Sequence, residues 1–327
     1  MRTTTRRRPE PRPGRRAFAR SARLVWGVSL GAALLVAATG VIVVRLDLGN
    51  QSCLSGDTEP DVALTGLQRD EYDKTGLPAG TVVDARAARW VGREPYAIVM
   101  GGGVGLCLSS GTVRGRWPPR TSWQVMHGTG AVVVGAPDAT VEDLRVDGYG
   151  DSLRLVEGAH DFVVRRVHLS DSRDDCIEND WLSSGVVEDS LLDGCYNAFS
   201  ARTYDSQDGV DDGSDGIWTI SDSLVRLQPM QRPYKDQGLI PGTAGFFKWD
   251  PRAPRLSLHD NVFRADQPAS TVGLGIPEDK LADCSGNVMV WLGRGDYPEK
   301  LPSCFTVTKD VRVWDDAVAR WLRRHRR

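Results

Sequence analysis

From Val141 to Phe263 one short pattern recurs along the chain: apolar, polar, often Asp, often Ser or Asn, any residue, apolar. The copies are Val141–Val146, Val164–Leu169, Val187–Leu192, Ile220–Val225 and Leu258–Phe263, with a degraded echo at Cys284–Met289. The first three start 23 residues apart, and the later gaps are 33, 38 and 26. A fixed period of this length, with insertions confined to certain turns, is the mark of a solenoid. Each coil needs a strand, a tight corner and a second strand. In Asp189-Ser190, Asp222-Ser223 and Asp260-Asn261 the polar pair suits the corner, where short side chains bond the local backbone. The apolar positions point inward and stack on the coils above and below. No single coil buries this face alone, so only the stack is stable.

A second strand per coil aligns as well. Asp151–Val156 lies against Asp174–Asp180, then Asn197–Arg202, then Gly245–Asp250. Leu153, Ile177, Phe199 and Phe247 then share an inward row. The residues after them, Arg154, Glu178, Ser200 and Lys248, face outward, as do Val156, Asp180, Arg202 and Asp250 two further on. Coils stack about 4.8 Å apart, so these rows make a continuous surface bearing both charges. Two insertions interrupt the ladder, Thr203–Asp215 and Gln228–Thr243. Long loops on neighbouring coils gather on one side, often the binding side.

The rest of the chain frames this region. Residues 1–23 are an Arg- and Pro-rich tail, expected to be disordered. Leu24–Val44 carries no charge for 21 residues. As a helix it measures about 31 Å, enough to cross a bilayer core. Nine Arg precede it and Arg45 alone follows closely, which places the N-terminus in the cytoplasm. A cleaved secretory signal is the competing reading, and Arg15–Arg20 resembles a twin-arginine export motif. Either way the body lies outside the cytoplasm. Residues 45–79 read as linker and entry segment, Thr81–Ala85 as the first strand, and residues 80–308 as the β-helix domain. Glycines between Gly101 and Gly111 read as bends of an early coil. Residues 309–327 hold a short helix, with Trp314, Val318, Trp321 and Leu322 at helical spacing, and a basic tail. The helix is expected to cap the open end of the stack, with a membrane-surface role as the alternative. The predicted class is therefore all-β: a parallel solenoid with an N-terminal transmembrane helix and a short C-terminal helix.

Charge separates leader from body. Residues 1–45 balance at +9, while residues 46–327 hold 31 basic and 42 acidic side chains and balance at −11. An acidic body argues against nucleic acid as partner, and against polyanions unless a cation or local basic patch intervenes. The six cysteines suit an exported chain and lack zinc spacing. Fifteen pairings are open. Cys176 with Cys195 would staple adjacent coils, Cys284 with Cys304 would close the C-terminal end, and Cys53 with Cys107 would remain.

With this repeat, residues 80–305 resemble the right-handed parallel β-helix proteins of the pectate lyase-like superfold. The chain looks like a bacterial, membrane-anchored member. The resemblance implies one of several activities: polysaccharide lyase, glycoside hydrolase, epimerase, or non-catalytic tailspike-like adhesion. Ser172–Asp180 echoes the Asp-Asp-Cys segment of polygalacturonase-like hydrolases, whose Gly-His-Gly and Asn-Thr-Asp motifs are absent from the chain.

The outward rows are where chemistry is expected. A sugar chain needs many directional polar partners and an aromatic platform. Arg154, Trp181, Tyr204, Tyr234, Lys235, Trp249 and Asp250 are the candidate substrate contacts. In a lyase, a base removes the proton beside a uronate carboxylate, and Arg202, Lys248 or Lys235 would serve. In a hydrolase, paired carboxylates act as acid and base, and Asp174, Asp175, Glu178 and Asp180 would serve. The same rows also read as a ladder of cross-strand ion pairs, Arg154 over Glu178 and Asp180 over Arg202, each pair worth tenths of a kcal/mol. Asp205, Asp208, Asp211, Asp212 and Asp215 supply oxygen ligands on a Gly-rich loop, and Ca²⁺ is the cation such a loop takes; a solvated acidic loop is the other reading. The five histidines read as ladder or surface residues. The expected partner is a polysaccharide or cell-envelope glycan. The alternative is a non-catalytic envelope spacer or adhesive module.

Overall fold

The apolar period builds the fold directly. In the computed structural model, which describes residues 52–54, 58–204, 207–230 and 242–326, the repeats wind nearly round one axis as an all-parallel β-solenoid. The first coils contribute β1 (Val62–Gln68), β2 (Tyr72–Leu77), β3 (Val82–Gly92), β4 (Tyr96–Gly102), β5 (Cys107–Ser109) and β6 (Thr112–Gly115). A five-residue helix, α1 (Trp123–His127), precedes β7 (Gly130–Gly135). The regular coils hold β8 (Thr140–Glu142), β9 (Arg145–Asp147), β10 (Asp151–Leu155), β11 (Phe162–Arg165), β12 (His168–Glu178), β13 (Gly185–Glu188) and β14 (Leu191–Ala201). Then come β15 (Ile217–Ser221), β16 (Leu224–Leu227), β17 (Thr243–Trp249), β18 (Arg255–His259), β19 (Val262–Ala265) and β20 (Ala269–Gly273). The chain closes with β21 (Leu281–Ser285), β22 (Asn287–Trp291), β23 (Phe305–Thr308) and α2 (Arg312–Arg324).

Pairing sorts these strands onto three faces. On the first, Val83, Leu108, Val141, Val164, Val187, Ile220, Leu258 and Cys284 stand in register down the stack. On the second, Val113, Val146, Leu169, Leu192, Val225, Phe263 and Met289 do the same. The third carries the file Leu153, Ile177, Phe199 and Phe247, as its spacing predicts. All four side chains are buried. Phe199 and Phe247 stack at 5.5 Å, and Trp218 meets Phe199 edge-on at 5.8 Å. Each such side chain withdrawn from water contributes roughly 1.5–3 kcal/mol, which is why the files run through the core.

The corner between first and second faces is conformationally uniform. Asp143, Arg166, Asp189, Asp222, Asp260 and Gly286 all have φ between 41° and 68°. Asp tolerates this left-handed conformation because its short side chain bonds locally. The next residue forms a buried polar ladder. Ser190 N–H donates to Ser223 Oγ, Ser223 N–H to Asn261 Oδ1, and Asn261 N–H to Asn287 Oδ1, at 3.0–3.2 Å. Backbone donors at the tight bend, out of reach of the sheet, are thereby satisfied.

Three expectations change. The stack begins before residue 80: β1 pairs with β3 and β2 with β4, so residues 62–77 are coil rather than linker, and Val82–Ala85 opens the third strand, not the first. The C-terminal helix does not close an open end. Trp314, Ala317 and Trp321 bury against Leu191, Leu224 and Val290 of the second face, along its flank. Trp321 Nε1–H donates to Asp189 O, and Arg324 pairs with Asp189 at 3.1 Å. Its apolar stripe meets an apolar row on that flank, which Val262, Val288 and Leu292 extend. The three disulfides are Cys53–Cys107, Cys176–Cys195 and Cys284–Cys304, and no cysteine is free. Residues 1–51, with the span Leu24–Val44, lie outside the described residues. Among the described residues no helix is long and apolar enough to cross a membrane.

Candidate functional site

The third face carries the outward row in register: Arg154 pairs with Glu178, Glu178 with Ser200, and Ser200 with Lys248. Strand alternation points these side chains away from the aromatic file. At the start of the same strands lies a tighter cluster. Carboxylate oxygens of Asp151, Asp174 and Asp175 lie within 4.8 Å of one another, all buried. Like charges so close are held only with compensation. Arg154 Nε donates to Asp151 Oδ2 at 2.7 Å and its guanidinium stands 3.3 Å from Glu178. Asp151 Oδ1 accepts the Asp175 N–H at 2.8 Å. Asp175 accepts from Lys248 Nζ at 2.6 Å and from Asn197 Nδ2 at 2.7 Å. Trp123 Nε1–H donates to Asp174 Oδ1 at 3.0 Å, and His127 Nδ1 lies 2.8 Å from Asp174 Oδ2. All six oxygens thus have a donor from the chain itself, so the trio is satisfied without an ion.

The donors to Asp174 come from α1, held over this end of the face. Arg173 donates to the carbonyls of Pro118, Pro119 and Thr121 at 2.7–3.1 Å, and Arg154 donates to His127 O at 2.6 Å. Gly150 lets the segment approach: a Cβ there would fall 1.8 Å from Met126 O.

Electrostatics split the acids. Burial pushes Asp151 up to about 7 against the pull of Arg154. Burial and the charge of Asp151 raise Glu178 well above the usual carboxylate range. Burial pushes Asp180 up to about 6 despite Lys248, and burial likewise raises Asp175. Burial also works on Asp174, but the His127 hydrogen bond and Lys248 outweigh it and hold that carboxyl below its ordinary value. In return the Asp174 hydrogen bond raises His127. Burial disfavours charge on Lys248, yet Asp175, Asp174 and Asp180 outweigh it and keep the ammonium protonated.

The other sequence candidates fall in different places. Asp180 receives Ser200 Oγ–H at 3.5 Å; Arg202 is exposed and, among the described residues, forms no ion pair with it. The Arg154–Glu178 rung is present and the Asp180–Arg202 rung is not, because the strands have ended by Asp180 and Arg202 turns outward to solvent. Arg202, Lys248 and Trp249 line an open cleft of about 420 Å³ with Val272, Ile276 and Glu299. Trp249 Nε1–H donates to Pro254 O. Asp250 accepts from Thr203 Oγ1 and from Arg252 N, pinning a turn. Trp181 lies in another cleft beside His160, Asp211 and Asp212. Tyr204 is exposed. Asp208, Asp211, Asp212 and Asp215 are exposed, and among the described residues no three acids of this loop converge. Asp205, Tyr234 and Lys235 lie outside the described residues.

Sequence reading missed Asp151, His127, Trp123 and Asn197. Asp151 carries a usable signal, since it opens its strand in the register of Asp175; nothing local marks His127. Comparison of the chain with family models, with characterised proteins and with solved structures gives no match.

Proposed function

We propose that this solenoid is a polysaccharide-processing β-helix protein of the pectate lyase-like kind, held outside the cytoplasm by its N-terminal span. Its working surface is the third face. The observation that carries this reading is the separation of acid strengths among neighbouring carboxyls of this face, with Asp174 lowered while Asp151, Glu178 and Asp180 are raised. Glu178 is raised well above the ordinary carboxylate range beside Arg154, and its row runs through Ser200 to Lys248, which lines an open cleft with Arg202 and Trp249. Titratable groups pushed apart by their environments are how acid and base roles divide on one face. In the protonated form that this shift favours, Glu178 donates to the glycosidic oxygen as its bond to the sugar carbon breaks, while water adds to that carbon and gives up a proton to solvent; with Lys248 held charged, its amine is no free base ready for elimination. Lys248, held charged, steadies negative charge rather than removing a proton. Trp249 offers a ring face to the sugar chain.

A second reading, a non-catalytic glycan-binding or spacer module, draws on a different observation: Asp151, Asp174 and Asp175 have every oxygen satisfied. The double variant Glu178→Ala, Lys248→Ala separates the two. Polysaccharides are incubated with each protein, and reducing ends and ultraviolet-absorbing unsaturated products are followed. New reducing ends without unsaturation, lost in the variant, support hydrolysis. Unsaturated products establish a lyase instead, and no product from any polysaccharide with the native chain leaves the non-catalytic module.

A further inference from the structure

A third cleft, of about 220 Å³, opens where the second and third faces meet. Its lining combines Trp117, Tyr196, Asp147, Asp171, Arg173 and Gln228. Tyr196 and Arg173 are buried, Trp117 and Gln228 are half-buried and Asp171 is exposed, so the cleft runs from a firm floor to a wet rim.

Its lining holds two carboxylates and one guanidinium, and Arg114 from outside the cleft balances the second carboxylate. Asp147 is paired with Arg114 at 3.1 Å. Arg173 has no carboxylate within ion-pair reach among the described residues; it holds three backbone carbonyls of the α1 segment, and Asp171 acts on it at longer range. A guanidinium has five N–H donors, and the described residues take three of those on Arg173, which leaves two for a guest. Asp171 is tied by Gln228 Nε2 at 3.0 Å and keeps acceptor capacity on its other oxygen. The cleft thus offers donors and acceptors fixed side by side, aromatic walls, and no net charge. That combination suits a polyhydroxylated ring: hydroxyls bridge Arg173 and Asp171, and the ring's C–H face lies on an aromatic wall.

We propose that this cleft is a binding subsite for one uncharged pyranose unit of a glycan, distinct from the Glu178–Lys248 row. The inference shares the glycan ligand with the proposed function but needs no catalysis. It places the accessory grip on the sugar chain one residue away from Asp174, through Arg173, so a bound chain reaches the third face from this corner.

The test is a glycan array carrying uncharged and uronate oligosaccharides, probed with the native chain, Trp117→Ala, Asp171→Asn and Glu178→Gln. Asn tolerates the left-handed backbone at Asp171, where φ is 48°, so Asp171→Asn retains the fold. Melting temperatures check both cleft variants. The expected result is binding of uncharged glycans by the native chain, weakened tenfold or more in Trp117→Ala and Asp171→Asn. Binding equal to native in the folded cleft variants overturns the inference, as does binding of uronate glycans alone or of no glycan. If Glu178→Gln abolishes turnover while both cleft variants bind as the native chain does, this subsite falls and the proposed function stands.

Discussion

At Lys248 the third face depends on one side chain. Its ammonium is the cation that lets Asp175 stay buried, 2.6 Å away. Removing one partner of a buried pair leaves an uncompensated charge, at a cost of about 3–5 kcal/mol. Lys248→Ala should therefore lower the urea midpoint far more than Arg202→Ala, whose side chain is exposed; equal midpoints would contradict the assignment. Protons give a second handle. Asp151 rises from 3.8 to about 7 on folding, so between those values the folded chain keeps a proton the unfolded chain has lost. Stability from this group falls as pH climbs through that window and levels above it. Asp180, pushed up to about 6, acts in the same direction over a narrower window. His127, also raised, stabilises below its unfolded value and loses that contribution as pH rises through its folded one. The melting temperature is expected to fall as pH rises from about 4 to about 7, and Asp151→Asn should flatten the slope. A melting temperature that rises across this range would refute the burial-driven shifts.

Strands and corners show what could be read from sequence. Aligning the second strand of successive coils placed Leu153, Ile177, Phe199 and Phe247 in one file because strand register propagates from coil to coil once the apolar rows stack. Aspartate at the corners Asp189, Asp222 and Asp260 was visible for the same reason, and so was the Arg154–Glu178 rung. The strap α1 was not visible: five residues make no helical period, and its grip on Asp174 comes from Trp123 and His127, 51 and 47 residues away. β1 and β2 were hidden because a first coil covers a neighbour on one side only. Val62, Leu64, Tyr72 and Leu77 are half-buried and weakly patterned. α2 was legible as a helix, but its docking face belongs to strands more than 20 residues distant. The corner ladder yields its own prediction. Asn261→Ala leaves the Ser223 N–H without its acceptor and removes the donor to Ile220 O. Each unsatisfied buried group costs about 1–3 kcal/mol. Denaturant unfolding should show a loss of that order, against a change within about 0.5 kcal/mol for an exposed control such as Asp215→Ala.

The whole molecule behaves as a stack whose coils lean on their neighbours, so where a staple sits determines what it protects. Cys176–Cys195 joins adjacent coils in the middle, under the candidate site, and closes a loop of 19 residues. Replacing both by Ala should cost about 3 kcal/mol in a cooperative transition. Replacing Cys284 and Cys304 should instead loosen exchange protection of β21 to β23 first, and uniform loss of protection in both cases would argue against nearest-neighbour stacking. The acidic body and the aromatic, mixed-charge third face belong to this scale too. Under the proposed function they would suit a long hydroxyl-rich ligand better than a polyanion. The most direct measurement is turnover of a polysaccharide panel by the native chain and by Glu178→Gln, matched for melting temperature. The account predicts release of reducing ends from at least one polysaccharide and a fall of about a hundredfold or more in the variant, the scale of a lost general acid. Turnover that survives Glu178→Gln undiminished would contradict it.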